Sequence, residues 1–247
     1  MILDVDLSQI EWRICAVLSQ DPIMLEEIRS GIDQHAATCT SPDMMNLPLT
    51  KDNRTDAKIF NFRAIYCNPS SASYAYFMDP KMPDFPQKRW EAILEGFFKK
   101  YSGMGAWHNE IIKQVRKTGE LRGPTGRIWK FDKQQQKGGW YDYSVAQIRN
   151  YPVQGTAGDL IKLAMVYIEK RRRQARLLKS KLMIGVHDCL VWDTPEEEAY
   201  ELAEIAIRTF REIPELVKRH FNFDINCPIT GEAELGPSWG TMKGLHI

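Results

Sequence analysis

Apolar and polar positions alternate over residues 2 to 7, Ile-Leu-Asp-Val-Asp-Leu, and predict a short strand with Asp4 and Asp6 on one face. Ser8, with Glu11 three positions on, has the form of a capping box for a helix running through Ile10, Cys15, Val17 and Leu18 to Asp21-Pro22. Residues 23 to 53 are mixed, with turn signals at Ser41-Pro42-Asp43 and Leu47-Pro48. A helix is predicted from Thr50 or Asn53 to Cys67-Asn68-Pro69, where proline bars continuation. An irregular connection is predicted from Asn68 to Pro86. Trp90, Ile93, Leu94, Phe97, Phe98 and Tyr101 then keep helical spacing to Gly103, and a second helix covers Ala106 to Val115 and stops at Gly119.

The second half of the chain changes period. Gly123-Pro-Thr-Gly126-Arg127 reads as a tight turn between two short strands, and Lys130 to Gly139 as a polar loop. A long helix is predicted from about Ser144 through Leu160, Ala164 and Ile168 into the basic run Lys170 to Arg173, which suits either a phosphate backbone or plain solvent. Leu182 to Asp193 holds two apolar β-runs meeting at His187-Asp188, a hairpin with an acid at its tip. Thr194-Pro195-Glu196-Glu197 opens a helix with a threonine cap that extends to about Glu212, and a last strand is predicted near Glu232 to Leu235. No internal repeat is present.

Within the helix at 54 to 66, Arg54, Lys58, Phe62 and Tyr66 recur every four residues, so they lie along one stripe roughly 18 Å long. Cations at one end and rings at the other suit a ligand with a polyanionic tail and a flat head, such as a nucleoside triphosphate. An ordinary amphipathic helix, with Phe60, Phe62 and Tyr66 in a core and the cations in solvent, has the same pattern.

Composition narrows the class without naming it. At 247 residues the chain is long enough for one large domain or two small ones, and 43% apolar and 26% charged residues describe a globular protein. The formal net charge of +1 means that any nucleic-acid contact must come from local placement of charge. No stretch approaches a membrane span, and five cysteines without a CxxC pair argue against a disulfide framework or zinc site. The expectation is a soluble cytoplasmic protein with reduced thiols and no membrane partner.

Three pieces together resemble the family A DNA polymerases, the group of bacterial DNA polymerase I and several phage enzymes. Asp6-Leu-Ser-Gln9-Ile-Glu11-Trp-Arg13 is similar to the first catalytic motif. Arg54 to Cys67 is similar to the fingers-helix motif, and His187-Asp188 to the second catalytic motif. Gly31-Ile-Asp-Gln-His35 and Asn150-Tyr-Pro-Val-Gln154-Gly-Thr-Ala resemble two further family stretches. The five occur in the family's order over nearly the whole chain.

The resemblance implies an α+β fold: a polymerase palm, with a small antiparallel sheet and helices, and mainly helical fingers, without thumb or exonuclease. It implies palm at 1 to 24, fingers at 25 to 145 and palm again at 146 to 247. It also implies a template-directed DNA polymerase that adds dNTPs to a primer 3′-hydroxyl, with Asp6 and Asp188 as catalytic residues holding two Mg²⁺. Gln9, Glu11, His35, Arg54, Lys58, Phe62 and Tyr66 would bind nucleotide, Glu11 by blocking a ribose 2′-hydroxyl. Arg127, Asn150, Gln154 and His187 would contact primer-template DNA.

The departures matter. Arg63 and Cys67 replace family glycines, and Cys189 replaces the glutamate that follows the second aspartate, with Asp4 on the same strand face as Asp6 as a partial substitute. A palm sheet made only of these strands leaves an edge and an apolar face open, so a second polypeptide supplying thumb and remaining palm, as in a split phage polymerase, is expected. A catalytically silent DNA-binding or assembly subunit that kept the fold is the alternative. Single-subunit RNA polymerase shares the fingers spacing but is disfavoured by Glu11.

Overall fold

The computed structural model describes residues 1–67, 77, 81–136 and 138–247. It falls into two compact units, one formed by residues 1–11, 123–127 and 154–247, the other by 12–122 and 128–153.

The first unit is built on an antiparallel sheet of five strands. These are β1 (Ile2–Leu7), β6 (Lys181–Val186), β7 (Cys189–Asp193), β8 (Gly231–Gly236) and β9 (Lys243–Leu245), in the order β6-β7-β1-β8-β9. The alternation in β1 decides its faces: Leu3, Val5 and Leu7 are buried, whereas Asp4 and Asp6 lie on the opposite side. Register is set on both flanks, with Asp6 opposite Cys189 on β7 and opposite Glu232 on β8. Helix α8 (Glu196–Arg211) contributes Leu202, Ala206 and Phe210 to the core, and its Glu196, Glu197 and Glu198 complement the positive end of the helix dipole.

Helix α7 (Val145–Gln174) starts in the second unit and ends in the first. Pro152 lies within its third turn, where the Ile148 carbonyl loses its usual donor. Two members of the basic run at its end are engaged within the fold, while Lys170 and Arg173 are exposed. Arg171 donates to Thr209 and Glu212, and Arg172 is buried, donating to Glu169 and to the Leu177 carbonyl. Glu169 also accepts from the Trp192 indole at 3.1 Å, which ties the helix to β7.

The second unit is mostly helical. It contains most of α1 (Ile10–Ser19), then α2 (Pro22–Arg29), α3 (Gln34–Thr40), α4 (Lys51–Ala64), α5 (Gln87–Lys100) and α6 (Ser102–Thr118). Two hairpins follow, β2 (Glu120–Arg122) with β3 (Ile128–Lys130), and β4 (Lys133–Gln135) with β5 (Tyr141–Tyr143). An aromatic core holds the helices: Phe60 meets Trp90, Phe97 and Phe77, and Trp12 meets Tyr101 edge-on with centroids 5.3 Å apart. Asp21 joins two helices, its Oδ1 accepting from the Ile23 and Met24 amides and its Oδ2 from the Met104 amide.

Several local expectations change. The mixed stretch after residue 22 holds α2 and α3, each opened by an aspartate cap, Asp21 and Asp33. Lys130 to Gly139 is not wholly a loop, because β4 forms there and pairs with β5. Thr194 does not cap α8; its hydroxyl bonds Ser180 at 2.6 Å and the helix starts one residue beyond Pro195. A further helix, α9 (Ile213–Phe221), follows Glu212, and β9 completes the sheet edge. α4 ends at Ala64, about a turn before the predicted stop at Cys67-Asn68-Pro69, and much of the 68 to 86 connection lies outside the described residues.

Gly231 marks the tightest point of the sheet. A Cβ there would come within 2.6 Å of the Asp6 carbonyl oxygen and would strike the Phe210 ring, and backbone cannot yield cheaply. Gly231→Ala is expected to lower stability by about 1–3 kcal/mol. Gly240→Ala, with nothing within 4 Å of the added carbon, should stay within about 0.5 kcal/mol. Urea midpoints of the two variants against wild type provide the check.

Candidate active site

The sheet face opposite the helices carries the first cluster. Asp4, Asp6, Val186, His187, Asp188, Cys189, Glu232 and Glu234 line a cleft of about 380 Å³. Three local features bring Asp6 and Asp188 into it from positions 182 residues apart. β1 and β7 pair antiparallel, the turn between β6 and β7 is only His187-Asp188 with His187 at φ 54°, and the Asp188 carbonyl accepts from the Leu7 amide at 3.1 Å. Partial burial, with the charges of Asp188 and Asp4 close by, pushes the Asp6 carboxyl up to about 7. The two carboxyls are near enough to share a hydrogen bond.

Glu232 and Glu234 were not anticipated as neighbours of this pair. Their signal was readable, since alternation on a strand antiparallel to β1 sets Glu232 against Asp6 and Glu234 against Asp4. Asp4 shares the cleft, as strand parity required. Cys189 also faces it, and burial together with Asp4 pushes its thiol up to about 11, so it adds no negative charge at neutral pH.

The donor chemistry fits a hard divalent cation. Mg²⁺ is commonly held by one or two carboxylates with substrate phosphates and water completing the shell, and Asp6 and Asp188 offer such a pair. Among the described residues no group of three or more His, Cys, Asp or Glu side chains is arranged to enclose a metal by itself.

Two more predicted residues lie in the sheet unit with defined partners. Gln154 donates to Glu11 Oε1 at 3.2 Å, linking α7 to the first turn of α1. Arg127 is paired with Asp159, which also accepts from Thr125 at 2.6 Å. Burial alone would raise the Asp159 carboxyl, but Arg127 and Thr125 hold it below the usual carboxylate range. Gln9 sits at φ 54° in the β1–α1 connection.

In the helical unit, α3 and α4 bring His35, Arg54, Lys58 and Phe62 together. Arg54 Nε donates to Asp33 Oδ2 at 2.6 Å, and Asp33 also caps α3. His35 is buried; its ring lies 6.0 Å from Phe62, and the Lys58 ammonium is 5.9 Å from the same Phe62 centroid. The Asn61 amide donates to His35 Nδ1 at 3.0 Å, while its oxygen accepts from Thr38. That bond leaves the imidazole proton on Nε2, which is buried without a hydrogen-bond partner among the described residues. Burial, helped by Arg54 and Lys58, pushes His35 down to about 4. Asp33 and Asn61, both inside the motifs named above but given no role there, are thus the supporting residues.

Tyr66 follows the end of α4, where its carbonyl accepts from Arg149 at 3.5 Å. Asn150 is one position further along α7, half-buried.

Residues 1–241 match the sequence profile of DNA polymerase family A. The chain is 28% identical over 237 residues to DNA polymerase I of Aquifex aeolicus, covering 95% of this chain and 38% of that protein. With DNA polymerase I of Geobacillus stearothermophilus the identity is 26% over 247 residues, 98% of this chain and 26% of the relative. With the DNA polymerase of Bacillus phage SP01 it is 25% over 244 residues, 97% of this chain and 26% of the relative. The fold matches the POL domain of Pol1 from M. smegmatis in complex with DNA primer-template and dNTP, with a TM-score of 0.76, 22% identity and coverage of 96% of this chain and 40% of that one. The chain therefore belongs to DNA polymerase family A, and it spans between a quarter and two fifths of the length of these curated relatives. No helix among the described residues is long and apolar enough to cross a membrane.

A histidine with a folded value near 4 and an unfolded value near ~6.5 stays neutral in the native state while the unfolded chain takes up a proton. Stability should therefore fall as pH drops from about 6.5 toward 4 and level off below. The ¹H–¹³C correlation of His35, followed from pH 8 downward, should titrate near 4; a midpoint near ~6.5 would contradict the buried, cation-flanked site.

Proposed function

We propose that this chain is the catalytic palm and fingers of a DNA-directed DNA polymerase, transferring a deoxynucleotide from a dNTP to a primer 3′-hydroxyl. The observation that carries the reading is the meeting of Asp6 and Asp188 in one cleft, with the Asp6 carboxyl held up to about 7 by burial and by its acidic neighbours. Such a pair is poorly suited to stand ionised alone and well suited to share cations. Asp6 and Asp188 would hold two Mg²⁺, which supply Lewis acidity at the attacking hydroxyl and charge neutralisation at the triphosphate.

The remaining roles follow from side-chain chemistry. Arg54 and Lys58 neutralise triphosphate oxygens, and the orphan Nε2 proton of neutral His35 gives a phosphate a donor without adding a third charge. Phe62 and Tyr66 offer ring faces to sugar and base. Glu11, braced by Gln154, stands against a 2′-hydroxyl, and Gln9 helps to position it. Arg127, Asn150, Gln154 and His187 contact the primer-template. The proposed palm covers residues 1 to 24 and 146 to 247, and the proposed fingers 25 to 145.

A second polypeptide is proposed along β6, the edge of the sheet, where Met183, Ile184 and Val186 are exposed. An open edge with apolar side chains invites strand addition. Cys189, a thiol where a third carboxylate would strengthen metal binding, is the observation that keeps the silent-subunit reading in view.

Primer extension with Mg²⁺ and either dNTPs or rNTPs separates the readings. Wild type should extend with dNTPs and not rNTPs, and Asp188→Ala should fall to background. Lys58→Ala should weaken dNTP use by about 10- to 100-fold, the value of one charge-assisted contact. Extension that survives Asp188→Ala would reject the carboxylate assignment, and no extension by wild type, alone or with its partner, would favour the silent subunit.

A further inference from the structure

The strands β4 and β5 have no core of their own. They are three residues each, β4 is exposed throughout, and a strand pair of that size is marginal by itself. Their support comes from the base. Asp142 pairs with Arg116 at 2.6 Å, Tyr143 packs on the cluster of Val115, Phe131 and Ile148, and the Gln136 amide donates to the Gln134 and Asp142 carbonyls at 3.0 and 3.1 Å.

What this anchoring presents is unusual for a surface. Trp140 is 58% exposed and the adjoining Tyr141 63%. The indole lies against Gly138, where a Cβ would come within 2.9 Å of its Nε1. Lys133 stands across the strand pair from Tyr143, 5.6 Å from its ring. The described residues from 116 to 142 carry six Lys or Arg against three Asp or Glu; with Arg116 paired to Asp142 and Arg127 to Asp159, four cations, Lys133 among them, stand against two acids. Exposed rings among cations are the chemistry that holds unpaired nucleotides: bases stack on the rings and phosphates meet the charge. A protein partner would be met by fewer lysines at the centre of the patch.

Position supports the same occupant. Gln134 reaches Gln147 at 3.5 Å, three residues before Asn150 on α7, and Phe131 stacks on Tyr151 with centroids 5.6 Å apart. The hairpin therefore flanks the helix segment assigned above to the primer-template.

We propose that the surface formed by Lys133, Trp140 and Tyr141 binds single-stranded DNA, the two rings stacking on unpaired bases of the template and the lysine meeting its phosphates. This deepens the polymerase reading and rests on it for the identity of the strand.

The test uses the full chain, fluorescently labelled oligo(dT), and a blunt duplex, both followed by anisotropy. The double variant Trp140→Ala/Tyr141→Ala should bind oligo(dT) about tenfold or more weakly, with duplex affinity unchanged. Trp140→Phe/Tyr141→Phe, which keeps two stacking faces, should restore binding. Unchanged oligo(dT) affinity in the alanine variant would overturn the proposal, as would an equal loss for duplex. Wild type that binds oligo(dT) through these rings yet extends no primer, either alone or with its partner, would sink the polymerase reading alone. Extension together with ring-independent binding would sink the hairpin assignment alone.

Discussion

The mutual repulsion of Asp6 and Asp188 is the constraint to which the sheet unit answers. Carboxylates so close, with Asp4, Glu232 and Glu234 beside them, are held together only because the opposite face of the same strands is buried. Leu3, Val5 and Leu7 alternate with the acids along β1, and the α8 side chains Leu202, Ala206 and Phe210 supply apolar burial on that side. The register that fixes Asp6 against Cys189 and Glu232 leaves the acids little freedom to separate, and Gly231 admits no side chain where β8 passes the Asp6 carbonyl. The sheet thus stores a charge arrangement that a bound cation would relieve.

The helical unit handles the opposite sign by a different device. Arg54 and Lys58 lie near His35, and two cations beside a third would be costly, so burial and those same cations keep the imidazole neutral. Asp33 compensates Arg54 while capping α3, and Asn61 fixes the imidazole tautomer from α4. The result suits a polyanion: fixed positive charge, and one neutral donor whose proton has no protein acceptor among the described residues.

Much of this was legible in the chain, for reasons that differ by element. Strand parity put Asp4 and Asp6 on one face, and a two-residue turn between apolar runs put Asp188 at a hairpin tip. The helix from Thr50 carries its own cap, so its start was fixed locally; its stripe of Arg54, Lys58 and Phe62 did gather near His35. The misses arose where tertiary contacts overrode local signals. Thr194 looked like a helix cap but is occupied by Ser180, and Glu197, the glutamate three positions on, instead accepts from the Lys179 ammonium. The polar run Lys130 to Gly139 has no apolar alternation to announce a strand; β4 exists there because β5 pairs with it and the hairpin's base is pinned by Arg116 and Tyr143. Asp33 and Asn61 stood within the quoted motifs without a role, and Glu232 outside them, because all three act on neighbours distant in sequence.

The central claim is that Asp6 and Asp188 wait for a divalent cation. It is tested most directly by calorimetric titration of Mn²⁺, a tighter-binding stand-in for Mg²⁺, at pH 7 in buffers of different ionisation enthalpy. With the Asp6 carboxyl near 7 in the free protein, binding should release about half a proton, and Asp6→Asn should abolish that release and most of the affinity. Binding without proton release, or binding that persists unchanged in Asp6→Asn, would contradict it.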